Sequence, residues 1–543
     1  MMGVIHSTIY SAQDALSTVA EKYLHLLPRV PYPKWTLLAV LTSVIYISRQ
    51  VSAYRNFTRF LPPGPRGLPI VGNLFQLNLD AWHTFAEWKE QYGPLVHISV
   101  AGQSILIMNT HKVTADLLDR RGPIYSDRPR FIVASEILTG GLLLVFAQYN
   151  DIWRRMRRAG HEGLNKTVSA DFYPFQQREA VYLVDGMLKD PKLWNQEIGR
   201  ATASMVFSAV YDKPPIISAQ DPQITRANEF IARLSDAAFP GAYYVEFFTW
   251  MKYLPSSIAK WKCDAEEWFR KDSEVFEGLF LEVQDRVKNG EVRPSFAANL
   301  IRDSDKYGLS DRESAWLAAS LYTAGSETTA GVLNWFMLAM VLYSDVQKKI
   351  QEELDAVVGR DRAPSFVDRE HLPYLQATVR ETLRWNPVGL PHQLTQDDWY
   401  DGYFIPKGTI CVPNVWSMNR DVEVYGLDAS KFNPRRFLDE EGQLKPALAD
   451  TKDGHMSYGF GRRLCIGRHV ANNSLFIDIA CILWAANIGP VHDSQGKPMT
   501  PIASDIINDG IVVRPSPFDC SITPRFPEVK IVLAQSKESV GSY

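Results

Sequence analysis

The 543-residue sequence is poor in cysteine, and its few cysteines are badly spaced for any sulfur-based scaffold. Cys263, Cys411, Cys465, Cys481 and Cys520 are odd in number, and no two form a Cys-x-x-Cys pair. That excludes a disulfide framework and a zinc ribbon, and it points to a reducing compartment in which one cysteine can act as a thiolate. An excess of one charge is also missing: 58 Lys and Arg against 61 Asp and Glu leave a formal charge of −3. A chain so balanced has no global field to draw in nucleic acid. No Gly-x-Gly-x-x-Gly lies in a strand–helix setting, so no flavin or dinucleotide motif is present. Solenoid repeats and low-complexity tracts are absent too. What remains is an ordinary globular balance, 46% hydrophobic and 22% charged, with ample material for a large core.

Residues 35–48 (WTLLAVLTSVIYIS) carry no charge, but 14 residues rise only about 21 Å as a helix, short of the roughly 30 Å hydrocarbon layer. Lys34 and Arg49 flank the run and can snorkel, which lengthens its reach. Arg49, Arg55 and Arg59 before a proline-rich break do not resemble a cleavage site. The expectation is a membrane-anchor helix over 35–48. Upstream, Leu16, Val19, Ala20, Tyr23, Leu24 and Leu27 recur at helical spacing, which fits an amphipathic helix on a membrane surface or a packed helix. Residues 61–69 (LPPGPRGLP) interrupt helix and strand alike. The domain expectation is therefore an N-terminal segment over 1–34, an anchor over 35–48, a basic and proline-rich linker over 49–69, and one body over 70–543.

Within the body, the β-rich runs 95–100 and 104–108, broken at Ala101-Gly102, predict a hairpin. Phe404-Ile405 and 409–412, around Pro406-Lys407-Gly408, predict a second. A long helix is expected from about 311 to 343, opened by a capping box of Ser310 and Glu313 and apolar on most sides. Leu372, Leu375, Val379 and Leu383 mark another helix, stopped by Pro387. The fold class is mainly α with small β-sheets (α+β).

Three short patterns carry chemistry. Residues 458–467, YGFGRRLCIG, surround Cys465 with glycines and arginines just before a helical segment. Cations, inward amide N–H groups and a helix N-terminus all stabilise a thiolate. Residues 324–329, AGSETT, place a glycine, an acid and hydroxyls inside the long helix. That suits a groove for a small ligand, with Glu327 and Thr328 to move protons. Glu381 and Arg384 are three apart on one helix face, a spacing read as a scaffold ion pair.

Taken jointly and in order, these patterns resemble cytochrome P-450, a haem-thiolate monooxygenase, and several segments are similar to fungal microsomal members. The haem-binding pattern Phe-x-x-Gly-x-Arg-x-Cys-x-Gly is matched by Tyr458, Gly461, Arg463, Cys465 and Gly467, with Tyr458 in place of the usual phenylalanine. The oxygen-groove pattern is matched by Ala324, Gly325, Glu327 and Thr328, the Glu-x-x-Arg by Glu381 and Arg384, and the Trp-x-x-x-Arg by Trp153 and Arg157. Residues 432–437 (FNPRRF) resemble the segment that adds a third member, Arg436, to the salt-bridge set.

The resemblance implies the cytochrome P-450 fold with an N-terminal membrane anchor, and haem b held by Cys465 as the axial iron ligand. It implies propionate partners in Trp153, Arg157, His392 and Arg463, with Arg128 as a weaker candidate. It places O2 at Ala324 and Gly325, opposite Cys465, with Thr328 bonding the oxygen and Glu327 relaying protons. One oxygen atom would enter a substrate C–H or C=C bond and the other would leave as water. Electrons would come from NADPH through NADPH–cytochrome reductase, docked on Arg154, Arg155, Arg158, Arg462 and Arg468. The implied location is the endoplasmic reticulum membrane, with the catalytic domain facing the cytosol.

Substrate-facing positions are expected in residues 131–145, near Ala319, Tyr322 and Thr323, and in 506–512. All are mainly apolar, so a lipophilic small molecule is favoured; the resemblance to fungal members implies a secondary metabolite such as a terpenoid. The aromatic segment 239–254 (FPGAYYVEFFTWMKYL) is expected either to dip into a bilayer or to pack in the core. Two alternatives stand beside the monooxygenase: a haem-thiolate enzyme that rearranges its substrate without external oxygen, and a non-catalytic haem-binding membrane protein.

Overall fold

The computed structural model describes residues 38–43, 45 and 59–541, apart from 79, 240, 292, 388, 449, 450, 452 and 511. The expectations for residues 1–34 and most of 35–58 lie outside the described residues. Residues 38–43 and 45 are helical and exposed. Among the described residues, no single helix is long and apolar enough to cross a membrane. Backbone contacts divide the chain into two units. The small one holds residues 1–61 with 399–404, and the large one 62–398 with 405–543.

The helices that frame the site are α1 (Asp151–Gly163), α2 (Tyr173–Lys189), α3 (Trp194–Tyr211), α4 (Lys260–Lys288), α5 (Asp311–Leu342), α6 (Ser344–Val357), α7 (Pro373–Trp385) and α8 (Arg468–Ala485). Strands are short: β1 (Leu95–Val100), β2 (Gln103–Met108), β3 (His392–Gln393), β4 (Asp398–Tyr400), β5 (Tyr403–Ile405), β6 (Ile410–Pro413), β7 (Ala486–His492), β8 (Pro498–Met499), β9 (Ile506–Asn508), β10 (Val513–Pro515) and β11 (Cys520–Pro524). The architecture is mainly helical with small sheets, as expected.

The first hairpin forms as expected, with Ile98 opposite Ile105 and Val100 opposite Gln103. The second expectation needs correction. β5 pairs with β4, while β6 joins the larger sheet in the order β1-β2-β6-β3. There β6 runs parallel to β2, with Leu106 opposite Cys411. The turn at Pro406-Lys407-Gly408 thus joins strands of two different sheets, because the apolar β6 completes a distant buried edge.

α5 is the axis of the body. Its capping box is present: Glu313 N–H donates to Ser310 Oγ at 3.2 Å, and Ser310 N–H donates to Glu313 Oε2 at 2.8 Å. Its first half packs with α1, α3 and α4 around Leu317 and Ala318. Its second half, Leu333 to Val341, packs with α2, α6, α7 and α8. Both runs are buried on nearly every side, which is why the amphipathic stripe is weak in this stretch of sequence. α7 ends at Trp385, two residues before Pro387, where a residue preceding proline leaves the helical region.

Candidate active site

The cysteine loop is shaped by backbone that side chains would spoil. Gly461 has φ +56°, and a Cβ there would lie 2.0 Å from the Leu118 carbonyl oxygen. Its N–H donates to Asp119 Oδ1. Cys465 N–H donates to the Tyr458 carbonyl at 2.9 Å, closing the loop on itself. α8 begins three residues later, and the N–H groups of Gly467 and Arg468 hydrogen-bond the Cys465 sulfur. Burial, the largest effect, pushes the thiol pKa up; those amides and the guanidiniums of Arg157 and Arg468 pull it back down. A half-buried thiol aimed at by donors is held ready for a metal, which removes its proton on binding.

The loop lies against one face of α5. A Cβ on Gly160 of α1 would meet Ile466 Cδ1 at 2.8 Å and Leu317 Cδ1 at 3.9 Å, so the residue after Cys465 and α5 converge there. Leu317, Ala324 and Thr328 are spaced i, i+7, i+11 and share that face. Ala324 and Thr328 are exposed, although they sit mid-helix between buried neighbours. Thr328 Oγ1 donates to the Ala324 carbonyl at 2.7 Å, as Thr323 does to Ala319 at 2.9 Å and Ser326 to Tyr322 at 2.8 Å. Gly325 lets α3 approach: a Cβ there would lie 3.1 Å from Val206 Cγ2. The helix therefore offers an open step beside the cysteine loop, where backbone bonds are shared with hydroxyls.

Glu327 is turned toward β10. Arg514 Nη1 lies 3.6 Å from its Oε1. Burial raises the Glu327 pKa, Arg514 opposes that rise, and Asp509 adds to it. Arg514 also lines an open polar cleft of about 440 Å³ with Lys192, Asn195, Gln196 and Asn334. Asn334 Oδ1 is buried without a hydrogen-bond partner. It stands seven residues from Glu327 on the same helix face, so acid and cleft are neighbours. Sequence reasoning missed Arg514, which carries no motif and reaches α5 only through tertiary packing.

The predicted propionate partners do come together. Arg463 donates to the carbonyls of Ser126, Leu144 and Ala147 at 2.8, 3.2 and 2.7 Å, and its Cζ sits 4.1 Å from the Trp153 ring centre. Arg128 donates to Val145 at 3.0 Å and to Pro391, and Arg157 to Leu464. Among the described residues, none of these three guanidiniums forms an ion pair. Asp127 is close, but its Oδ1 accepts the N–H groups of Arg128 and Tyr149 at 3.0 and 2.7 Å. Burial and mutual repulsion pull Arg463 down to about 8 and Arg128 to about 10. Several buried cations with carbonyl partners and one engaged acid form a donor set for added anions.

Trp153 Nε1 donates to Leu144 at 3.2 Å, so its indole N–H is already engaged. His392 Nδ1 bonds the Tyr125 carbonyl at 2.8 Å, and burial, aided by Arg128, keeps the ring neutral. Its Nε2 is then an acceptor, and becomes a donor only when an anion draws in a second proton.

The scaffold pair is wholly buried. Arg384 Nε and Nη2 donate to Glu381 Oε2 and Oε1 at 2.6 and 2.7 Å, and Arg436 Nε reaches Glu381 Oε1 at 3.2 Å. Elsewhere the expected docking arginines are partly engaged at home: Arg155 with Asp151 at 3.2 Å, Arg158 with Glu162 at 3.8 Å, and Arg462 with the Tyr149 hydroxyl. Ala319, Tyr322 and Thr323 lie in the core. Residues 239–254 are mostly on the surface, with Trp250 at 63% and Tyr253 at 83% exposure, while Val245 is buried.

Helical fold, cysteine loop and open step on α5 together define a haem-thiolate oxygenase. The comparisons agree: the family model for cytochrome P450 matches residues 62–520. A cytochrome P450 monooxygenase of Armillaria gallica is 55% identical over 513 residues, covering 94% of this chain and 98% of the relative. Cytochrome P450 monooxygenase 58 of Postia placenta is 48% identical, covering 92% and 95%. Cytochrome P450 monooxygenase iboC of Amanita muscaria is 43% identical, covering 92% and 97%. The chain belongs to the cytochrome P450 family and is a monooxygenase; the family uses haem with a cysteine thiolate.

Proposed function

We propose that the protein is a membrane-bound monooxygenase of the endoplasmic reticulum, facing the cytosol, that oxidises a lipophilic secondary metabolite such as a terpenoid. The observation that carries the site assignment is the cluster of mutually repelling guanidiniums beside a half-buried cysteine whose sulfur receives two amide N–H groups. Cys465 Sγ would hold the haem iron. Arg128, Arg157 and Arg463 would neutralise the propionates, Trp153 packs under Arg463, and His392 would add a donor once protonated.

Bound haem supplies the redox chemistry, with one atom of O2 entering the substrate and the other leaving as water. Thr328 holds its hydroxyl proton toward the Ala324 carbonyl, which leaves Oγ1 lone pairs toward the open step. Glu327 exchanges protons between the polar cleft and that step, and its raised pKa keeps both forms accessible nearer neutrality. Electrons come from NADPH through a reductase that meets the arginine-rich face of α1 and Arg462.

Membrane attachment is supported by residues 35–48 and by the exposed rings of Tyr244, Phe247, Phe248, Trp250 and Tyr253. Glu246 accepts the N–H groups of Ile132 and Val133 at 2.9 and 3.0 Å, which ties that aromatic surface to the apolar 131–145 segment.

The test is a carbon monoxide difference spectrum of the reduced protein beside Cys465→Ala. A strongly red-shifted Soret band, lost in the variant, is expected; haem with only the shorter-wavelength band refutes cysteine ligation. Reconstitution with reductase, NADPH and a terpenoid panel then reads substrate-stimulated NADPH consumption, and a panel without response removes that substrate class.

A further inference from the structure

We propose that Asn472 is a positioning residue for the Cys465 thiolate, acting through the Tyr458 hydroxyl; this rests on Cys465 as the iron ligand. Tyr458 stands where the family pattern has phenylalanine. An extra hydroxyl beside a thiolate is a hazard, because an O–H donated to the sulfur withdraws electron density from it. In this protein the hydroxyl is turned away: it donates to Asn472 Oδ1, in the second turn of α8, at 2.6 Å.

The bond also closes a circuit. The Tyr458 carbonyl accepts the Cys465 N–H at 2.9 Å. The Gly467 and Arg468 amides, at the start of α8, reach the Cys465 sulfur. Asn472, one turn further along α8, returns to the Tyr458 ring. Loop, sulfur and helix N-terminus are thereby fixed to one another at three points. The preceding residues are anchored independently: Met456 N–H donates to Asn419 Oδ1 at 3.0 Å, and Ser457 Oγ to the Leu383 carbonyl. Tyr458 therefore has one side held by the body and the other available to hold α8. A phenylalanine can pack in the same place but cannot close the circuit. The number and geometry of hydrogen bonds to the sulfur tune its donation to the metal, so a circuit that fixes the amides also fixes the electronic character of the ligand.

The experiment uses the full-length haem-loaded protein and four variants: Tyr458→Phe, Asn472→Leu, Asn472→Asp and the double variant of the first two. Readouts are the Soret position of the reduced carbon monoxide complex, its rate of conversion to the shorter-wavelength form in mild urea, and the ferric/ferrous potential. Tyr458→Phe retains the red-shifted band but converts about fivefold faster, the ratio expected for one ordinary hydrogen bond. Asn472→Leu converts at least as fast and also shifts the Soret band and the potential, because it leaves the Tyr458 hydroxyl beside the cysteine loop without its fixed acceptor. The double variant returns both to the Tyr458→Phe values. Asn472→Asp, which keeps the acceptor oxygen, converts at the wild-type rate and covers the case in which the leucine variant fails to fold. Wild-type conversion in Tyr458→Phe, or strictly additive effects in the double variant, overturns this inference alone. Absence of the red-shifted band in the wild type overturns the Cys465 assignment and this inference with it.

Discussion

Arg514 divides its guanidinium between two acids: Nη1 lies 3.6 Å from Glu327 Oε1, while Nη2 holds Asp509 Oδ2 at 2.8 Å. The mid-helix acid Glu327 thus answers to a residue nearly two hundred positions away, at the rim of a solvent cleft.

Removing that cation has a defined sign. Burial already raises the Glu327 pKa, and Arg514 is the group that opposes it. Arg514→Leu therefore raises the pKa further, and the limb of the pH–rate profile that reports Glu327 moves to higher pH. Glu327→Gln abolishes that limb and lowers coupled turnover by about two to four orders of magnitude, the range for loss of a proton-transfer group. Stability runs the other way. A carboxyl whose folded pKa is raised stabilises the fold below the ordinary carboxylate range and loses that contribution as pH rises through the raised value. Thermal melts should show Glu327→Gln gaining on the wild type as pH increases from 4 to 8.

The Glu381–Arg384 pair has no solvent to fall back on, with both side chains at 0% exposure. Arg384 also serves the carbonyls of Asn419, Ala429 and Lys431. Arg384→Leu leaves the buried Glu381 carboxylate with Arg436 as its one cation and strips the Asn419 and Ala429 carbonyls of their donor, a loss of about 3–5 kcal/mol. Arg384→Lys keeps the charge without the fork and should recover little of it. Denaturant unfolding followed by circular dichroism checks both.

Two glycines should respond oppositely to alanine. At Gly461 a Cβ meets the Leu118 carbonyl, and φ is positive, so Gly461→Ala should reduce both stability and haem retention. Gly278 lies within α4 with nothing within 4 Å of a built Cβ. Gly278→Ala should stabilise by about 0.5–1 kcal/mol. Thermal melts of the two variants beside the wild type separate these signs.

If the face of α1 meets an acidic reductase, charge reversal at Arg154 should weaken the encounter. Its guanidinium is about half exposed and only 3.9 Å from Asp151, so little structure depends on it. Arg154→Glu should raise the reductase concentration for half-maximal rate several-fold at low salt, with the difference shrinking as salt screens the charges. An unchanged carbon monoxide spectrum confirms that the haem site is intact.

The parts of this structure that sequence made readable are local ones. The capping box at Ser310 and Glu313, the hairpin at Ala101-Gly102 and the Glu381–Arg384 spacing each lie within a few residues, where periodicity and turn chemistry decide the outcome. The second hairpin was misleading because a strong turn signal at Lys407-Gly408 competes with a parallel pairing to β2, about three hundred residues distant. Arg514 and Asn472 were invisible for a related reason, since their significance comes only from what they touch. Arg128 is a subtler case. Nothing local favours burying it, and only tertiary packing brings it against Arg157 and Arg463, whose charges repel it.

The scarcity of cysteine has a practical side. Cys411, Cys481 and Cys520 are buried, and Cys465 is half-buried in the loop proposed to bind the haem iron. Cys263 is exposed near the start of α4, beside Lys262, whose ammonium holds the carbonyls of Lys252 and Leu254 at 3.0 and 3.1 Å. The natural sequence therefore already carries a thiol handle next to its aromatic surface. A maleimide dye attached there, with no residue replaced, would turn the approach of vesicles into a fluorescence signal.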